Sequence, residues 1–255
     1  MSTLRLWRYD HGAGEPLVLV HGFTGSHRDW EGVVDELATT RRVITFDHRG
    51  HGDSPNTGDP ATYTFDQLVA DAEALFDELE LDRFDLLGHS MGGIVAMRYV
   101  LAHPDRVRSL VLMDTGARPS GNGASGWIRA GVEKVRADGL LALYERIEPF
   151  LPEDQRARVR WSYERMDPGA FVELARELSA YPSMLDELAT LAVPTTVIVG
   201  ENDTGLRAAA DDLAATVPGA VFELIPDAAH SPQLENRGAW MRAVQGHLAR
   251  AGSPD

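Results

Sequence analysis

Phe84-Asp85-Leu86-Leu87-Gly88-His89-Ser90-Met91-Gly92-Gly93 carries an apolar run of strand length into a segment of helical composition that continues to about His103. The run is too short for a helix, and the glycines after it end it at a sharp turn. Between a buried strand and a helix, the pattern Gly88-x-Ser90-x-Gly92 has a mechanical meaning. Gly88 and Gly92 remove side chains where the chain reverses on itself, and Gly93 lets the helix approach the sheet. Ser90 is then held in a strained conformation with its hydroxyl exposed. The helix N-terminus beneath it offers free N–H groups and a positive dipole end, both suited to developing negative charge.

On either side of this turn, short apolar runs alternate with segments of helical period. The runs are 17–20, 43–46, 84–87, 110–113, 197–199 and 221–225. Their near-continuous hydrophobicity suits parallel strands covered on both faces. The covers are legible too. Phe65, Leu68, Val69, Ala72, Leu75, Phe76 and Leu79 form one helical stripe, with Thr64 and Gln67 at capping-box spacing. Leu206, Ala209, Ala210 and Leu213 form a second, and Trp240, Met241, Val244 and Leu248 a third. The order predicts an α/β fold with a mostly parallel, doubly wound sheet, whose reactive loops lie beyond the carboxyl ends of the strands. Residues 4–9 are expected as an antiparallel edge strand, paired with the next strand through a turn at Gly12 and Gly14.

The rhythm breaks between about Thr115 and Leu191, where short helices replace strands. This segment is predicted to be a helical cap inserted into one core, giving a core of 1–114 and 192–255 and a cap of 115–191. Its entrance, 119–126, is rich in Gly, Ser and Asn and predicts a loop.

Composition narrows the function. With 39 Asp and Glu against 24 Lys and Arg, the net charge of −15 repels phosphate backbones and anionic lipid surfaces. Neither nucleic acid nor a membrane is an expected partner. The sequence leaves the oligomeric state unset. The N-terminus has no signal-peptide pattern and no uncharged run is of membrane-spanning length, so a cytoplasmic location is expected. The absence of cysteine excludes thiolate metal sites and a thiol nucleophile. No cofactor or metal is called for.

A serine hydroxyl needs a base within hydrogen-bond reach. Of nine histidines, His230 follows the last apolar run in Pro226-Asp227-Ala228-Ala229-His230-Ser231-Pro232, a loop at the reactive edge. His103 and His247 lie on helices, and His89 is expected to point away from its neighbour on the turn. The base needs a carboxylate to fix its tautomer. Asp203, in Gly200-Glu201-Asn202-Asp203, is the expected acid, with Glu201 and Asp114 as rivals, the latter also at a strand end. Backbone N–H groups make the best oxyanion donors. The expected pair is Met91, after the nucleophile, and Phe23, in the loop His21-Gly22-Phe23-Thr24-Gly25 after the first central strand.

Together these motifs resemble the α/β-hydrolase superfamily, in the order Ser90, Asp203, His230, over essentially the whole chain. The resemblance extends to Asp47-His48-Arg49-Gly50-His51-Gly52-Asp53-Ser54, which is similar to a loop common in lid-bearing members. That loop is read as structural, with Arg49 tying neighbouring backbone or carboxylates. The resemblance implies a serine esterase, and the concentration of aromatic and long apolar side chains in the cap, with the negative net charge, predicts small or medium uncharged esters as its substrates. Dehalogenases and epoxide hydrolases of this fold carry aspartate where Ser90 stands. Hydrolysis of a carbon–carbon bond beside a carbonyl is an alternative, and so is a small-molecule receptor of this fold with slow turnover. The elbow is also similar to menaquinone-pathway synthases, which usually have Arg where this chain has Ile94. Arg129, Arg136, Arg146, Arg156, Arg158 and Arg160 are read as mostly solvated cap residues.

Overall fold

A computed structural model describes residues 3–119 and 122–252, the side chains of 122–125 excepted. Among these residues seven strands form one sheet: β1 (Arg8–Gly12), β2 (Pro16–Val20), β3 (Arg42–Phe46), β4 (Phe84–His89), β5 (Val107–Met113), β6 (Thr195–Gly200) and β7 (Val221–Ile225). The order is β1-β3-β2-β4-β5-β6-β7, parallel except where β1 meets β3. The helices of the first half are α1 (Glu31–Leu37), α2 (Phe65–Glu78) and α3 (Met91–Ala102). The cap contributes α4 (Asn122–Asp138), α5 (Leu140–Ile147), α6 (Glu153–Arg165), α7 (Pro168–Ala180) and α8 (Leu185–Leu188). The chain closes with α9 (Arg207–Thr216), α10 (Pro232–Glu235) and α11 (Arg237–Ala251).

The strands are apolar at both parities because each face has its own core. Leu17 and Leu19 of β2 join Trp30 and Trp240 beneath α1 and α11, while Val18 and Val20 point into the larger cluster with α2, α3 and the cap. Along β5, Val111 and Met113 share the first core, and Leu110 and Leu112 the second. This is the period-2 alternation of a sheet buried on both sides. Thr64 caps α2 by accepting from the Gln67 N–H at 3.2 Å, as its spacing implies.

Two expectations need correction. The edge strand is Arg8–Gly12, not 4–9, and it pairs with β3, placing Tyr9 opposite Thr45. β2 is already bonded to β3 on one side and β4 on the other, so the only edge available there is the outer side of β3. The cap entrance is also shorter as a loop than its Gly, Ser and Asn content implies, since α4 begins at Asn122. Ser120 and Gly121, within that expected loop, lie outside the described residues.

The loop 47–54 behaves as expected. Buried Arg49 grips both carboxylate oxygens of Asp71, at 2.5 and 2.8 Å, and donates to the Thr62 carbonyl at 3.1 Å. Among the described residues no helix is long and apolar enough to cross a membrane. Strand order reverses direction around β2, since the chain passes from β3 on one side of it to β4 on the other. The loops leaving β2 and β4 therefore diverge at their carboxyl ends, where sheets of this kind open a crevice.

Candidate active site

The turn after β4 holds Ser90 at φ 54° and ψ −119°, a region L-residues rarely occupy. Three contacts hold it there. Its N–H donates to the Met113 carbonyl at 2.9 Å, and its carbonyl accepts from Gly93 N–H at 2.9 Å and from the Thr115 hydroxyl at 2.7 Å. The glycines are required by close approach: a Cβ on Gly92 would fall 2.3 Å from the Val20 carbonyl, and one on Gly88 2.4 Å from the Gly92 carbonyl. Strain at the serine is thus imposed by the packing of β2, β4 and β5 around it.

His230 and Asp203 arrive from the loops after β7 and β6. His230 Nε2 lies 3.1 Å from Ser90 Oγ, and its Nδ1 lies 2.7 Å from Asp203 Oδ2. Asp203 also accepts from the Leu206 N–H at 3.2 Å, and its side chain is 10% exposed. Burial pushes the Asp203 carboxyl up, but the hydrogen bond and charge of His230 hold it below the usual value. Burial pulls His230 down, and the Asp203 hydrogen bond and charge, with the charge of Glu235, outweigh it and leave His230 above the ordinary histidine value. An ionised Asp203 accepts from Nδ1–H, so the Nε2 lone pair faces the serine hydroxyl.

The other candidates have different partners. Glu201 is exposed and accepts from the Asp227 N–H, and His103 pairs with Glu73 at 3.2 Å. His247 lies at the opposite end of the sheet. Asp114 is buried, with carboxylate oxygens within 4.8 Å of those of Asp203 and the ring nitrogens of His230. His89 is buried, and its Nε2 donates to the His230 carbonyl at 2.6 Å, which ties it to the backbone of the loop after β7. Burial and the charge of His230 depress His89 to about 3, so it stays neutral.

Phe23 and Met91 both line the same crevice, and neither backbone N–H meets a backbone acceptor among the described residues. The side chain of His21 orients the first of them, a role that sequence reading missed. His21 Nε2 accepts from the His48 N–H at 3.0 Å, which forces the proton onto Nδ1, and Nδ1 donates to the Gly22 carbonyl at 2.8 Å. That carbonyl belongs to the peptide whose N–H is that of Phe23. Burial and the nearby His51 depress His21 to about 3, which keeps this tautomer through the neutral range.

Above the serine is a cavity of about 620 Å³ between the core loops and the cap helices. Ile94, Ile128, Leu151, Val159 and Leu178 give it an apolar wall. Arg158 of α6 also lines the cavity and pairs with Asp29, while Ser162 meets Ser26 at 3.0 Å. Arg158 is therefore not a solvated cap residue: its side chain is 15% exposed and ties cap to core. Burial raises Asp29 against the pull of Arg158. The Ser26-x-x-Asp29 cap of the short helix at His27–Trp30 was the available signal, since it fixes Asp29 beside the loop that carries Phe23.

Comparison with known proteins agrees with the fold. A family profile described as alpha/beta hydrolase fold matches residues 15–237. A Bacillus subtilis protein provisionally named 2-succinyl-6-hydroxy-2,4-cyclohexadiene-1-carboxylate synthase is 31% identical over 240 residues, covering 88% of this chain and 86% of its own. Among solved structures, a thermophilic esterase from Thermogutta terrifontis superposes with a TM-score of 0.87 at 31% identity, covering 98% of this chain and 95% of that one. An enol-lactonase from Burkholderia xenovorans gives 0.85 at 26% identity, covering 96% of each chain. A profile match across most of the chain, on a sheet and elbow of this construction, means that the protein belongs to the alpha/beta hydrolase fold family.

Proposed function

We propose that the protein is a serine hydrolase that cleaves small or medium carboxylic esters through an acyl-enzyme on Ser90. The observation that carries this reading is the unbroken chain from Asp203 Oδ2 through His230 to Ser90 Oγ, at 2.7 and 3.1 Å. In the first step His230 Nε2 takes the hydroxyl proton as Ser90 Oγ bonds to the ester carbonyl carbon. The negative charge that develops on the carbonyl oxygen is met by the Phe23 and Met91 N–H groups. As the C–O bond to the alcohol breaks, His230 returns the proton to the leaving oxygen. Water repeats the sequence on the acyl-enzyme and frees the acid and Ser90. No step requires a cofactor.

The cavity supports the substrate class. Its volume of about 620 Å³ suits a small or medium molecule, and the Asp29–Arg158 pair is neutral overall. The net charge of −15 disfavours polyanionic substrates at long range. The esterase and lactonase among the structural relatives point to the same bond type. Ile94, buried in the cavity wall, offers nothing to a carboxylate and weakens a synthase reading. Within this proposal the core comprises 1–114 and 192–255 and the cap 115–191, with a small-molecule ester as partner and the cytoplasm as its place of action.

The test is p-nitrophenyl esters of graded acyl length, run alongside fluorophosphonate labelling on wild type and Ser90→Ala. Short acyl chains should be cleaved about tenfold or more faster than long ones, each lost apolar contact changing discrimination by roughly 10–200-fold. Ser90→Ala should neither label nor turn over. Labelling without turnover would instead identify a receptor, and full activity in Ser90→Ala would end the proposal.

A further inference from the structure

The mechanism leaves one buried titratable group beside the site without a role. Asp114 follows β5 and sits directly next to the acid, with none of its surface exposed. Its backbone is pinned at φ 43°, with the N–H donating to the Ile198 carbonyl at 2.9 Å. One carboxylate oxygen, Oδ1, accepts from the Gly200 N–H at 3.0 Å. The other, Oδ2, finds no donor although it is fully buried. Asp203, within 4.8 Å, has spent Oδ1 on the Leu206 N–H and Oδ2 on His230, and both are acceptors. Two ionised carboxylates in that position leave a buried oxygen unpaired and repel each other. A single proton between them resolves both.

We infer that Asp114 is a positioning residue that carries a proton at neutral pH and donates it from Oδ2 to Asp203. The acid side of the site is then a hydrogen-bonded pair of carboxyl groups with one negative charge. Asp114 touches neither Ser90 nor His230 chemically and acts through Asp203. The groups that face it are Asp203 from the loop after β6, His230 from the loop after β7 and the Gly200 N–H at the end of β6. Burial, with the charge of Asp203, raises Asp114 to about 8 against the pull of His230, which agrees with the geometry. The donated bond fixes the free edge of Asp203 and so the rotation of the imidazole it holds. It also spares His230 a second negative neighbour, which would hold the imidazole protonated to higher pH.

The inference rests on Ser90, His230 and Asp203 acting as proposed, and its test separates the two. Asp114→Ala and Asp114→Asn are compared with wild type by p-nitrophenyl acetate hydrolysis and by the pH dependence of fluorophosphonate labelling. Asp114→Ala should lower kcat about tenfold to a hundredfold with KM within about twofold, as loss of one buried hydrogen bond implies. Asp114→Asn should recover most of that loss, because an amide can accept from Gly200 and donate to Asp203. The acid limb of the Asn variant should coincide with that of wild type. A downward shift of that limb by about one pH unit or more would mean that Asp114 is ionised in wild type, and would overturn the inference. Wild-type kcat in Asp114→Ala would overturn it as well. If the Ala variant does not fold, infrared spectroscopy decides: wild type at pH 7 should show a protonated carboxylic acid band that Asp114→Asn lacks, and its absence refutes the shared proton. Turnover in Ser90→Ala, by contrast, would strike at the hydrolase reading and leave the infrared result standing.

Discussion

Each end of the sheet holds a serine, a histidine and an aspartate in hydrogen-bond contact, and only one end is arranged for chemistry. At the carboxyl end the order is Asp203, His230, Ser90, so a carboxylate backs the imidazole and the imidazole faces the hydroxyl. At the amino end Ser109 donates to Asp85 at 2.6 Å, and His247 lies between two hydroxyls, Ser109 at 2.9 Å and Thr196 at 2.8 Å. There the serine proton is already committed to a carboxylate, and the histidine has no acid behind it. Burial and Arg250 depress His247 to about 4, whereas His230 stands above its ordinary value. Access differs as well: His230 is about half exposed beside the cavity, and His247 is sealed on the buried face of α11. Identical residue types thus give a catalytic relay or a structural clamp, according to the order of their bonds and to whether a substrate can reach them.

The sharpest way to break this comparison is to remove each histidine. His230→Ala should reduce kcat by about 10⁴-fold or more, because nucleophile and base act as a unit. His247→Ala should leave kcat intact and cost about 1–3 kcal/mol of stability, since Ser109 and Thr196 are left unpaired in the core. Exchange of these outcomes would invert the assignment. The carboxylates give the next largest contrast. Asp203→Asn should fold and bind substrate yet lose up to about 10⁴ in kcat through a misoriented His230. Asp85→Asn should keep its kcat, with a lower Tm in calorimetry.

The smallest effects are those of pH, and they separate the two ends by sign. The base must be neutral, and the folded state raises its proton affinity, so kcat/KM should climb through a midpoint above 6.5 and then level off. A flat profile from about pH 5 to 8 would argue against a histidine base. His247 binds its proton near 6.5 when unfolded and only near 4 when folded, so acid favours the unfolded chain across that window. His21 and His89 act in the same direction. Asp85 opposes them, since burial lifts its carboxyl from 3.8 to about 6 and protonation there favours the folded state. Tm should fall between pH 6.5 and 4, and fall less in His247→Gln.

Much of the fold was legible because hydrophobic period reports burial directly. All six internal runs became strands, and the elbow glycines announced a backbone crossing that only glycine permits. Ser90, His230 and Asp203 were legible for a related reason, each standing just beyond a strand on the reactive side of the sheet. What escaped depends on register and packing, which the period of a sequence does not encode. The edge strand found β3 because β2 had no free side. Arg158 looked like one more charge on a polar helix, and its turn toward Asp29 is decided by how α6 docks. His21 read as part of a glycine-rich loop, and its tautomer is set by a backbone N–H 27 residues away.

The strand order has a consequence for synthesis. Ser90 and His230 lie 140 residues apart in sequence, and at roughly 5–20 residues per second the ribosome delivers His230 about 7–28 seconds after Ser90. During that interval the emerging chain has its elbow and the loop of Phe23, but no histidine to draw the proton from Ser90. If Ser90 and His230 act as proposed, a nascent chain that ends before His230 should not hydrolyse esters, whereas the full chain should.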